Sequence, residues 1–164
     1  MHFFSKKRRI SAKKFGKLLG DVLKETLSDQ FERKNLLTTQ KQFLERNWEF
    51  DYPRYALEIT KLYINMIQLM IVNDYHHISD KERMSQNFVN SWSDIIPEPH
   101  GAEMFQNMIN LIGADQPLLS LSRIAAQNYF GEKRVSSEMV LYFGASAKAF
   151  NDVLEGVKKE VIVK

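Results

Sequence analysis

Apolar residues recur at three- and four-residue steps through most of this chain, the period of an α-helix with one buried face. Ser11 is placed to cap a helix N-terminus. Behind it Phe15, Leu18, Leu19, Val22, Leu23, Leu27 and Phe31 form one stripe, with Lys14, Lys17, Asp21, Lys24 and Ser28 on the other side. A polar segment over 32–42 follows, after which Phe43, Leu44 and Trp48 suggest a short helix. Pro53 marks a break and suits a first helical position, where its missing N–H is not needed.

From Arg54 to about Tyr75 runs the most apolar stretch, including Ile59, Leu62, Ile64, Met66, Ile67, Leu69, Met70 and Ile71. Its polar residues Glu58, Lys61, Asn65 and Gln68 keep to one narrow stripe. A helix apolar nearly all round belongs at the centre of a bundle. Ser79 with Glu82 fits a capping box ahead of Met84, Phe88, Trp92, Ile95 and Ile96. The run 97–101 breaks the pattern, and a helix over 102–112 carries Met104, Phe105, Met108, Ile109 and Ile112. A further helix ends at Gly131, a good C-terminal cap.

The last helix is the most regular. Val140, Phe143, Ala147, Phe150, Leu154, Val157 and Val161 alternate steps of three and four, a heptad-like seam. Packing inside the same bundle is the favoured arrangement, and a homodimer through that seam is the other. With four prolines and seven glycines there are too few turn formers for an all-β domain. The expected fold is all-α: one bundle of six or seven helices over 11–164, preceded by a basic, flexible arm over 1–10. A chain of 164 residues is long enough to bury about two thirds of its unfolded surface.

Charge changes the picture. Between Met1 and Gly20 stand Lys6, Lys7, Arg8, Arg9, Lys13, Lys14 and Lys17 with no acid, so the formal net charge of +3 sits on a cationic start and a mildly acidic body. Such asymmetry points to a polyanion or an acidic protein surface. Phe3 and Phe4 beside the cations, with an amphipathic helix behind them, tilt the choice towards a membrane interface, where apolar burial and electrostatics reinforce one another. Lys6, Lys7, Arg8 and Arg9 also suit phosphates on nucleic acid or a nuclear localisation signal. No stretch of 18 or more residues is continuously apolar, and the basic run is not followed by the apolar core of a secretory signal. The expected location is cytoplasmic, peripheral at a membrane.

Absent cysteine excludes disulfides, thiolate metal sites and cysteine nucleophiles. No phosphate-binding glycine loop and no serine nucleophile elbow occurs. Asp74, His76, His77 and Asp80 cluster near one predicted helix end, and His100 with Glu103 near another. If the two groups met, they would supply a His/carboxylate metal site of the kind bundles build, or haem ligands from His76, His77 or His100. Helix-end histidines also have an ordinary electrostatic explanation. The stretch 124–137 has a faint helix-turn-helix flavour, with Arg123, Lys133 and Arg134 near it, but its turn is long for that motif. Met66, Met70, Met104 and Met108 suit either core packing or an adaptable groove. The leading expectation is a non-enzymatic interaction protein without cofactor, docking through its basic start on an anionic membrane or an acidic partner. A metal- or cofactor-using bundle enzyme and a nucleic-acid-binding regulator are the alternatives.

Overall fold

Capping, helical periodicity and two short extended segments determine the element order. A computed structural model describes residues 7–98 and 100–164. Strand β1 (Arg8–Ile10) leads into helix α1 (Ala12–Gln30), followed by α2 (Arg33–Glu45) and α3 (Tyr52–Asp74). Then come α4 (Lys81–Trp92), α5 (His100–Leu111), α6 (Pro117–Phe130), α7 (Ser137–Glu160) and strand β2 (Val161–Val163). The described residues thus form a seven-helix, all-α bundle.

Helix α3 is the core element and touches α1, α4, α5, α6 and α7. Asp51 caps it by accepting from the Arg54 N–H at 3.2 Å, and Pro53 lies in its first turn. Ile59, Ile64 and Ile67 are wholly buried, and so is most of its polar stripe: Glu58, Lys61 and Asn65 are each 5% exposed or less. A central helix has no solvent side, so its polar residues need partners inside the protein: Glu58 and Lys61 pair with one another, whereas Asn65 Oδ1 and Gln68 Oε1 have no partner among the described residues.

Ser11 caps α1 as its sequence suggests, accepting from the Lys14 N–H at 3.3 Å. Phe15, Leu19 and Leu23 are then completely buried, largely against α4. Gly16 and Gly20 let the two helices approach closely, since a Cβ at either position would run into Met84 or Ser91. Helices α6 and α7 form a hairpin: Phe130 packs on Phe143 near the turn, and Leu118 and Leu154 line one cavity at the far end. Gly131, at φ +92°, ends α6. Ser136 caps α7 by accepting from the Met139 N–H. The stretch 124–137 is therefore two core helices joined by a capped loop, and the four methionines are buried core residues.

Several expectations need correction. The polar segment 32–42 is helical, not a prelude to a short helix at Phe43. Helix α2 has few apolar residues because Phe43 alone anchors its end, fully buried within 6.0 Å of the rings of Trp48, Phe50, Tyr55, Tyr129, Phe130 and Tyr142. Leu44 is 74% exposed. Ser79 and Glu82 form no capping box, because Asp80 stands at the N-cap of α4 and Glu82 comes one residue too early.

Arg8, Arg9 and Ile10 are not free chain. They pair in parallel with Val161, Ile162 and Val163, and the Lys164 N–H donates to the Ile10 carbonyl at 3.1 Å. For the same reason α7 stops at Glu160, and Val161 belongs to the ladder instead of the helical seam. The rest of that seam faces inward: Val140, Phe143, Ala147, Phe150 and Leu154 are buried in this chain, with Val157 packed beside them. It leaves no apolar seam for a second copy.

Candidate functional site: a cationic end built from both chain termini

The parallel ladder has a consequence that chain order hides. Successive strand residues point to opposite faces. Ile10 is buried and Arg9 points outward, beside Ile162, which is 40% exposed. Register brings Lys159 and Glu160 to the Lys7 end of the ladder and Lys164 to its Ile10 end. Lys13, Lys14 and Lys17 follow in the first two turns of α1, all exposed.

None of these cations has a carboxylate within ion-pair distance among the described residues. Glu160 is the acid nearest along the chain, and the start of α4 beside Gly16 adds Lys81, Glu82 and Arg83. Lys158 is different. It binds Asp74 at 2.7 Å and Glu155 at 3.0 Å, and although burial opposes its charge these bonds raise its pKa. It ties α7 to the end of α3 and leaves the cationic end to its neighbours.

Phe3, Phe4 and Lys6 lie outside the described residues. Lys7, Arg8, Arg9, Lys13, Lys14 and Lys17 lie together on this end. The first helix supplies charge but not the apolar contact expected of it, because its stripe is spent on the core. Turning that stripe to a lipid surface would take Phe15, Leu19 and Leu23 out of the core and leave the apolar face of α4 that they cover open to water. Sequence reasoning missed Lys159 and Lys164, since no local pattern says that two strands at opposite ends of a chain will pair.

The histidine and acid groups do not meet. Asp74 is held by Lys158, whereas Glu103 pairs with Lys61, thirteen positions earlier on α3 and so about 20 Å away along its axis. His76 contacts the Asn73 carbonyl at 3.0 Å, while His77 and Asp80 are exposed. Among the described residues no three His, Asp or Glu side chains are arranged to hold a metal.

What His100 and Glu103 join instead is the polar stripe of α3. Lys61 Nζ lies 2.9 Å from Glu58 and 3.3 Å from Glu103, with His100 Nδ1 3.6 Å from Glu103. Asn128 Nδ2 donates to Glu58 at 3.2 Å and to Glu103 at 3.1 Å. Burial pushes the Glu58 carboxyl above its ordinary range, although Lys61 and Asn128 oppose it. At Glu103 burial acts the same way, but Lys61 and Asn128 outweigh it and its pKa is lowered. This network joins α3 to α5 through ion pairs and both to α6 through the hydrogen bonds of Asn128. The signal for it was the opposite charges of Glu58 and Lys61, three positions apart on a helix that is otherwise apolar.

No family model, curated protein or solved structure matches this chain. No described helix is long and apolar enough to cross a membrane.

Proposed function

We propose that this protein is a non-enzymatic interaction module that docks by its cationic end on an anionic membrane surface. One observation carries the reading: cations from β1, the start of α1 and the end of the chain share one end of the bundle with no carboxylate partner among the described residues. Basic residues near an anionic bilayer contribute about 1 kcal/mol each. Ile162, exposed beside Arg9, supplies an apolar side chain at the same place, and Phe3 and Phe4 stand just ahead of the basic run in the sequence. Since the α1 stripe belongs to the core, attraction is chiefly electrostatic and shallow. Binding then weakens steeply with salt, as the screening length falls to about 10 Å at 0.1 M.

Vesicle co-sedimentation tests the reading with wild type and a variant changing Lys6, Lys7, Arg8 and Arg9 to Gln. A second variant, Lys159→Gln/Lys164→Gln, leaves that run intact. Binding to anionic but not neutral vesicles, lost in the first variant and reduced in the second, supports it. Equal binding at low and high ionic strength, or preference for DNA or RNA over vesicles in direct competition, overturns it.

A further inference from the structure

A cleft of about 520 Å³ opens between α2 and α7, on residues that the cationic end does not use. Its volume falls in the usual range of small-molecule sites. The space exists because α7 presents Ala145, Ser146 and Ala149 towards α2, and small side chains cannot bridge the gap.

Hydrogen bonding inside the cleft leaves one amide group with open donors. Gln30 donates to the Tyr55 hydroxyl at 2.9 Å and accepts from Tyr63 at 3.1 Å, and the Thr39 hydroxyl is a second hydrogen-bonding neighbour of Tyr55. Tyr142 donates to Gln42 Oε1 at 2.7 Å, leaving both Gln42 amide protons undonated. Tyr55 is 1% exposed and forms part of the floor.

Charge narrows the class of occupant. At the mouth, Arg46 Nε lies 3.3 Å from Glu138, and its guanidinium sits over Trp48 and Tyr142 at 5.5 and 5.6 Å. The pair is neutral in sum, so an anion drawn to Arg46 is repelled by Glu138. Gln42, Arg46 and Glu138 are planar groups that offer neighbouring donors and acceptors, the set that takes adjacent hydroxyls two at a time.

We infer that this cleft binds a neutral polyhydroxyl molecule the size of one or two sugar rings. Gln42, Arg46 and Glu138 hold its hydroxyls at the mouth, the Thr39 and Tyr55 hydroxyls line the floor, and Ala145 and Ala149 lie against its C–H face.

The test is amide NMR titration of the full chain with glucose and trehalose, set against gluconate and glucose 6-phosphate as charged counterparts. Saturable shifts with a neutral sugar, confined to residues around Gln30, Gln42, Arg46, Tyr142 and Ser146, are expected. Gln42→Leu weakens them about tenfold, the value of one or two hydrogen bonds. Ala145→Trp abolishes them by filling the cleft from an exposed position. Ala149→Phe, one turn further along, serves as a second plug, and the spectrum of either variant reports that it remains folded. Absence of saturable shifts with both sugars overturns the inference. So do tighter binding of the anions, or shifts that persist when a folded plug variant is titrated.

Discussion

Arg9 and Ile162 face one another across the β1–β2 ladder, although they stand at opposite ends of the chain. The ladder joins the cationic start to the end of α7 and places charge beside an exposed apolar side chain. It is short, with three pairs in register, so its stability rests on Ile10, Val161 and Val163 packing on the core. Removing residues 161–164 is expected to leave the helices folded and to free β1. Hydrogen exchange reads this directly: amides of the β1 segment lose protection while those of α3 keep theirs. Unchanged protection at Arg9 and Ile10 refutes the pairing.

Gly16 brings α1 against the backbone of α4. A Cβ there runs into the Met84 backbone carbonyl, which cannot rotate aside, whereas at Gly20 it meets the Ser91 side chain. Gly16→Ala is therefore expected to cost about 1–3 kcal/mol, the usual range for overpacking, and Gly20→Ala less. Urea unfolding of the two variants checks the order.

Lys61 is the cation on which two carboxylates depend. Replacing it by Met leaves Glu58 buried without its ion-pair partner, at a cost of about 3–5 kcal/mol. Adding Glu58→Leu removes the stranded charge and restores much of that loss. If the double variant is as unstable as the single one, the network does not act through charge.

Burial raises the pKa of several tyrosines above the ordinary 10.0, with Tyr142 pushed up to about 12 and Tyr55, Tyr63 and Tyr129 also raised. An unfolded chain ionises these phenols near 10.0 while the folded chain keeps their protons. Stability is therefore unaffected below that pH and falls as pH rises through the folded values. Ultraviolet titration is expected to show delayed ionisation, ending in cooperative alkaline unfolding. A single smooth transition near 10.0, with the fold intact, contradicts the buried aromatic cluster.

Much of the fold was legible in particular residues. Ser11, Pro53 and Gly131 announced helix boundaries because caps and turns act locally, and the apolar run of α3 announced its central place. Helix α2 was hidden because a helix needs only enough burial to hold it, and Phe43 with the aromatic residues around it supplies that from distant segments. Lys6, Lys7, Arg8 and Arg9 were visible as a charge run, but nothing local located Lys159 and Lys164 at the two ends of the ladder that β1 forms.

By itself, then, the sequence determined the helical class, most element boundaries and the cationic start, since these follow from period, capping and charge along a single segment. Tertiary structure alone decided that the α1 stripe is core, that Glu58 and Lys61 are buried partners of Glu103, and that both chain ends meet in one ladder. Each of these outcomes depends on which surfaces meet across long stretches of chain. Hydrophobic burial has no direction of its own, and the partner it selects is fixed only when every apolar face of the bundle is satisfied together.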